Sequence, residues 1–124
     1  LAVLDLDQDG WPDFLITRNN DSTLAFRNGG AAGHRSFRVA LRGPAGNPTA
    51  VGGRITVEFA DGATEMAEVF AGSGYYSQST ASCFFGYSDS SPPKRILVRW
   101  PSGATSEHPF PPGSTALTLS IPSP

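Results

Sequence analysis

Arg54-Ile55-Thr56-Val57-Glu58-Phe59-Ala60-Asp61-Gly62-Ala63-Thr64-Glu65-Met66-Ala67-Glu68 alternates apolar and polar side chains up to a turn signal, then turns back. Ile55, Val57 and Phe59 fall on one face and Arg54, Thr56 and Glu58 on the other, the period-two signature of a strand with one buried face. Asp61-Gly62 predicts a type I′ hairpin turn, because both residues tolerate positive φ. The return strand runs over roughly 64–70, with Glu65 and Glu68 outward in an imperfect alternation. The same pattern continues on either side. Phe37, Val39 and Leu41 alternate with Arg38, Ala40 and Arg42. Residues 83–87 and 95–100 read as two more strands, with Ile96, Val98 and Trp100 on one face. Leu117, Leu119 and Ile121 close the chain as an edge or pairing strand. Long loops are expected at 43–53 and 72–78, and no window keeps a 3.6-residue period over three turns. Residues 36–121 are therefore expected to form an all-β domain, an antiparallel β-sandwich or small barrel.

The composition agrees. The chain has 124 residues with 14 Gly and 11 Pro, which suits many short strands joined by tight turns. At 39% hydrophobic and 16% charged it is not a disordered chain, and no stretch of about 18 apolar residues offers a membrane span. No basic patch or aromatic-and-basic stripe points to nucleic acid. The single Cys83, inside Cys83-Phe84-Phe85, reads as a small buried thiol. No signal peptide is visible, and the opening on a strand-like Leu1 reads as part of a longer protein.

The N-terminal segment has a different character. Asp5-Leu6-Asp7-Gln8-Asp9-Gly10-Trp11-Pro12-Asp13 holds four of the 11 acidic residues and no basic one. Carboxylates crowded this closely repel one another unless a cation sits among them. Hard oxygens alone suit Ca²⁺, and Mg²⁺ or Mn²⁺ less well. Asp5, Asp7, Asp9 and Asp13 occupy loop positions 1, 3, 5 and 9, the Trp11 carbonyl is position 7, and Gly10 supplies a positive φ at position 6. An EF-hand would place a bidentate Glu where Ile16 stands, and the flanks, 1–4 and 14–16, read as strands rather than helices. Asn19-Asn20-Asp21-Ser22 reads as a turn leading into a strand at 23–27, and 28–33 is the expected boundary. A plain acidic surface turn is the competing reading of the loop, but it would need one or two Asp, not four.

Two resemblances follow from these motifs. The strand–loop–strand unit Asp-x-Asp-x-Asp-Gly-x-x-Asp resembles the calcium loops of FG-GAP/VCBS repeats, which build integrin-type β-propellers. Residues 47–103 resemble the ASPIC/UnbV domain in four ordered blocks: Asn47…Gly52-Gly53-Arg54-Ile55-Thr56-Val57; Gly72-Ser73-Gly74-Tyr75-Tyr76-Ser77-Gln78; Phe85-Gly86; and Val98-Arg99-Trp100-Pro101-Ser102-Gly103. Gly53 departs from the usual Ala. The resemblance implies that 1–30 is the end of an FG-GAP/VCBS repeat, the last part of a propeller blade with further blades upstream, and that 36–121 is an ASPIC/UnbV-like β-domain. It also implies an extracellular, periplasmic or cell-surface protein of the adhesion type, and it implies no catalytic activity, so the chain is expected not to be an enzyme.

Other chemistry is weakly signalled. His34 or His108 can be combined on paper with Ser73 or Ser77, but no Gly-x-Ser-x-Gly elbow is present. Tyr75 and Tyr76, with Trp11, offer the amphipathic surface of a carbohydrate-binding module, an alternative to a binding or structural role with a protein or glycan partner. The plainer expectation is that one of the two tyrosines plugs the end of the sandwich.

Overall fold

A computed structural model of the chain describes residues 1–72 and 74–122. Ten strands occur among them: β1 Ala2–Leu4, β2 Asp13–Arg18, β3 Asp21–Phe26, β4 His34–Arg42, β5 Arg54–Phe59, β6 Thr64–Glu68, β7 Cys83–Ser88, β8 Pro93–Arg99, β9 Thr105–Pro109 and β10 Ala116–Ser120. They form three sheets, ordered β1-β2-β3, β10-β4-β7 and β6-β5-β8-β9. No helix occurs among the described residues, and none is long and apolar enough to cross a membrane.

The second and third sheets share one core. Phe37, Val39, Leu41, Cys83 and Phe85 come from one, and Ile55, Val57, Phe59, Ile96 and Val98 from the other. Ala50, Val69, Trp100 and Phe110, from the connections, complete it. The alternation read from the sequence is what builds this interior, since successive strand residues face opposite sides. Burial raises the Cys83 thiol above its ordinary range, so it packs as an inert apolar group.

Three expectations are corrected. No sheet closes into a barrel, so the body is a sandwich. It is not wholly antiparallel, because β10 runs parallel to β4, Leu117 opposite Val39 and Leu119 opposite Leu41. The chain leaves the third sheet after β9 and enters the second at its edge, and such a crossover does not require reversal. The β5–β6 hairpin forms, but only Gly62 has a positive φ, at 87°. The Phe59 carbonyl accepts the Gly62 N–H and the Phe59 N–H donates to Ala63. A three-residue loop with glycine in the left-handed position replaces the type I′ turn, which needs two positive φ values.

Two family-like blocks prove structural. The Asn47 side chain accepts the Val51 N–H at 2.9 Å and donates to its carbonyl at 3.0 Å, closing the 43–53 loop as a backbone pair would. A Cβ on Gly53 would come within 2.8 Å of both the Ala50 carbonyl oxygen and Leu41 Cδ1, which accounts for glycine where alanine is usual. Trp100-Pro101-Ser102-Gly103 is the β8–β9 hairpin, closed by Trp100 N–H to the Ala104 carbonyl at 2.8 Å.

The first sheet sits apart from this core. Val3, Phe14 and Phe26 stand opposite one another across it, and Phe14 and Phe26 are about half exposed. Phe14 therefore does not join this segment to the sandwich; β1 and the acidic loop do. The Val3 N–H donates to Ser79 Oγ at 3.0 Å and its carbonyl accepts the Thr80 N–H at 3.0 Å. Three strands fall short of the four of a propeller blade, and no blade is shown.

Candidate metal centre

The loop between β1 and β2 folds around its own carboxylates. Asp13 is fully buried, its Oδ2 accepting the Leu6 N–H at 2.8 Å and its Oδ1 the Asn28 N–H at 2.7 Å. It therefore fixes both the start of the loop and the exit of β3. These N–H donors, Asn28 first and Leu6 second, hold its carboxyl below the ordinary value of 3.8 against the opposing effect of burial. A lowered folded value makes Asp13 stabilising above the unfolded value. That contribution is lost as pH falls from about 4 through the folded value. Urea midpoints followed from about pH 6 down to 2 should drop over the acid end in wild type and drop less in Asp13→Asn.

Asp5 carries the sharper signal. Its side chain is only 2% exposed. Oδ2 accepts from Arg38 Nε at 2.8 Å and from the Gly10 N–H at 3.3 Å, while Oδ1 is buried with no hydrogen-bond partner. A buried carboxylate oxygen without a donor is costly, and a bound cation or water meets that cost. One oxygen each of Asp5, Asp7 and Asp13 lies within 4.8 Å of the others, a spacing that one ion can bridge.

Asp9 is not in that group. Its Oδ1 accepts the Trp11 N–H at 2.9 Å, a local turn, and its Oδ2 lies 3.5 Å from Arg27 Nη2. Arg27 Nε also bonds Asp7 Oδ2. Four loop carboxylates against Arg27 and Arg38 leave two net negative charges, the charge of one divalent ion. The sequence reading missed both arginines, which lie 14 or more residues beyond the loop.

The loop is seated on the sandwich at Gly10, which is buried with φ of 91°. A Cβ there would sit 2.7 Å from the Ser36 carbonyl oxygen and 2.8 Å from that of Thr115. Gly10→Ala should therefore cost about 1–3 kcal/mol in urea unfolding. Gly29→Ala, with nothing within 4 Å, should be close to neutral.

Beside the loop lies a cavity of about 590 Å³ lined by Asp5, Gln8, Leu15, Arg38, Gln78 and Ser79, among others. The 72–78 loop thus reaches the acidic loop through Gln78. Tyr75 and Tyr76 are 89% and 94% exposed, with ring centroids 4.6 Å apart and edge to face. Neither plugs the sandwich, which corrects that expectation. A Cβ on Gly74 would meet Ser77 Oγ at 2.1 Å, so a side chain there would force the Ser77 hydroxyl to turn away. Ser73 lies outside the described residues. His108 pairs with Ser106 Oγ at 2.9 Å, and that oxygen also accepts the Trp100 indole N–H at 2.9 Å, a hairpin brace rather than a triad.

The ASPIC and UnbV family profile matches residues 43–123, which span the loop closed by Asn47, the hairpin at Trp100 and strand β10. The chain belongs to that family. ASPIC/UnbV domains are structural or binding modules, and this chain is a non-catalytic module of that type. The match stops short of the acidic loop, and no FG-GAP or VCBS repeat is identified in residues 1–42. None of the curated proteins matches the chain.

Proposed function

We propose that this ASPIC/UnbV module is an extracytoplasmic binding or structural unit in which one Ca²⁺ fixes the N-terminal sheet to the sandwich. The observation that carries the reading is the buried, unpartnered Asp5 Oδ1 beside Asp7 and Asp13. Asp5, Asp7 and Asp13 supply carboxylate oxygens, and the Trp11 carbonyl and Asp9 complete the set with some rearrangement, because Ca²⁺ takes six to eight oxygens. Ca²⁺ fits better than Mg²⁺, which demands a tighter octahedron and gives up its water reluctantly. Residues 1–30 are then an annex of the 36–121 domain, tied to it through Arg38 and Gly10, whether or not propeller blades precede them in a longer protein.

An extracellular site of this type binds at about 10⁻⁴–10⁻³ M. At ten times the dissociation constant, binding adds roughly 1.4 kcal/mol to native-state stability. That suffices to order a loop and is small beside the burial in the sandwich. Amide exchange in Ca²⁺ against chelator should therefore slow at residues 2–13 and 27–28 and stay unchanged in β5 and β8. Equal exchange everywhere would refute the reading.

The exposure of Tyr75 and Tyr76 favours one second reading, a glycan-binding face on the 72–78 loop. A glycan array supports it if hits are lost in Tyr76→Ala, and a blank array removes it.

A further inference from the structure

We propose that Arg27 is a tethered competitor for the cation site, holding Asp7 and Asp9 in the ion-free protein and leaving when a divalent ion enters. This rests on the cation reading above and concerns how the same site is regulated. The two arginines at the site differ in kind. Arg38 lies on the central strand β4, its side chain 25% exposed, and bonds the Asp5 oxygen that is already satisfied. It is scaffold. Arg27 follows the last residue of β3, its side chain is 67% exposed, and it bonds Asp7 through Nε while Nη2 reaches Asp9.

Asp7 is claimed twice. It belongs to the three-carboxylate group that an ion would bridge, and it is also the guanidinium's main partner. A guanidinium and a divalent ion on one carboxylate would stand a few ångströms apart as like charges, so the closer the ion binds, the less Arg27 is held. An exposed arginine moves into water at little cost, because exposed ion pairs contribute little. Asn28 keeps its N–H on Asp13 Oδ1, so the backbone stays pinned when the side chain departs. The exchange selects by charge: a monovalent ion replaces one positive charge with another and gains nothing, whereas a divalent ion gains one. Arg27 thereby raises the Ca²⁺ concentration at which the loop fills and protects the acidic loop from self-repulsion below it.

The test is Ca²⁺ titration calorimetry on wild type, Arg27→Gln and Arg18→Gln. Arg18→Gln removes the same charge from the same sheet, where Arg18 pairs with Asp21 and not with the cluster. The expected result is Ca²⁺ binding about three- to tenfold tighter in Arg27→Gln and less than about twofold tighter in Arg18→Gln. In chelator, Arg27→Gln should melt below wild type, and the gap should close at saturating Ca²⁺. Unchanged or weaker binding in Arg27→Gln overturns the proposal while leaving the cation reading standing, as does equal tightening in both variants. Absence of Ca²⁺ binding in all three proteins overturns both.

Discussion

Phe37→Ala is expected to lower the unfolding free energy by about 3–5 kcal/mol, a large share of the roughly 5–15 kcal/mol available to a domain of this size. Phe37 is fully buried on β4, between β10 and β7. Its ring stacks on Phe85 at 5.5 Å and tilts onto Phe110 at 4.7 Å, with Tyr87 edge-on at 6.0 Å. Truncation removes the ring's transfer free energy and leaves a cavity among aromatic neighbours that cannot all collapse inward. The same strand carries Ser36, on which Gly10 rests, and Arg38, which holds Asp5. The variant should therefore also weaken Ca²⁺ binding, because the loop loses its platform. Urea unfolding in chelator measures the first effect. A loss below about 1 kcal/mol would mean that the two sheets do not share the core described here.

Asp5→Asn should abolish most of the Ca²⁺ response while changing stability in chelator little. The amide keeps the carboxylate's shape, and its oxygen can still accept from Arg38 and Gly10. Its NH₂ then takes the place of the unpartnered Oδ1 and can donate toward Asp7 or Asp13. Losing one anionic ligand should weaken Ca²⁺ about tenfold or more. Thermal unfolding with and without Ca²⁺ separates this from the alternative. If Asp5 serves only as the partner of Arg38, the variant loses stability in chelator and keeps whatever Ca²⁺ shift the wild type shows.

The sandwich was legible because its strands obey one rule. Ile55-x-Val57-x-Phe59 and Ile96-x-Val98-x-Trp100 put every second residue in the core, and all six are buried. Strand β9 escaped for the same reason. Thr105-Ser106-Glu107-His108-Pro109 carries no large apolar side chain to alternate and lies on an edge, its inward positions filled by Ser106 and His108 bracing Trp100. The parallel pairing of β10 was not legible, because alternation reports a strand's faces and is silent on its direction.

The acidic loop was legible in the clustering of its carboxylates and illegible in its surroundings. Spacing marked Asp5, Asp7 and Asp13 correctly as neighbours, but it could not show that the turn at Trp11 takes up an Asp9 oxygen. Nor could it place Arg27 and Arg38, since contacts between strands far apart in sequence leave no local trace. The two tyrosines show the opposite error. Aromatic residues are more often buried than not, so one of Tyr75 and Tyr76 was expected to fill the end of the sandwich, yet the turn bridged by Gly74 and Ser77 lifts both into solvent.

The central claim is that these carboxylates hold a divalent ion, and calorimetric titration of Ca²⁺ into chelator-treated wild type, beside Asp7→Ala, tests it most directly. One saturable site per chain with a dissociation constant of about 10⁻⁴–10⁻³ M, with Mg²⁺ weaker and Asp7→Ala silent, is the predicted result. No saturable heat up to about 10 mM Ca²⁺, or equal heats in the two proteins, would contradict it and leave Arg27 and Arg38 as the loop's only counter-charges.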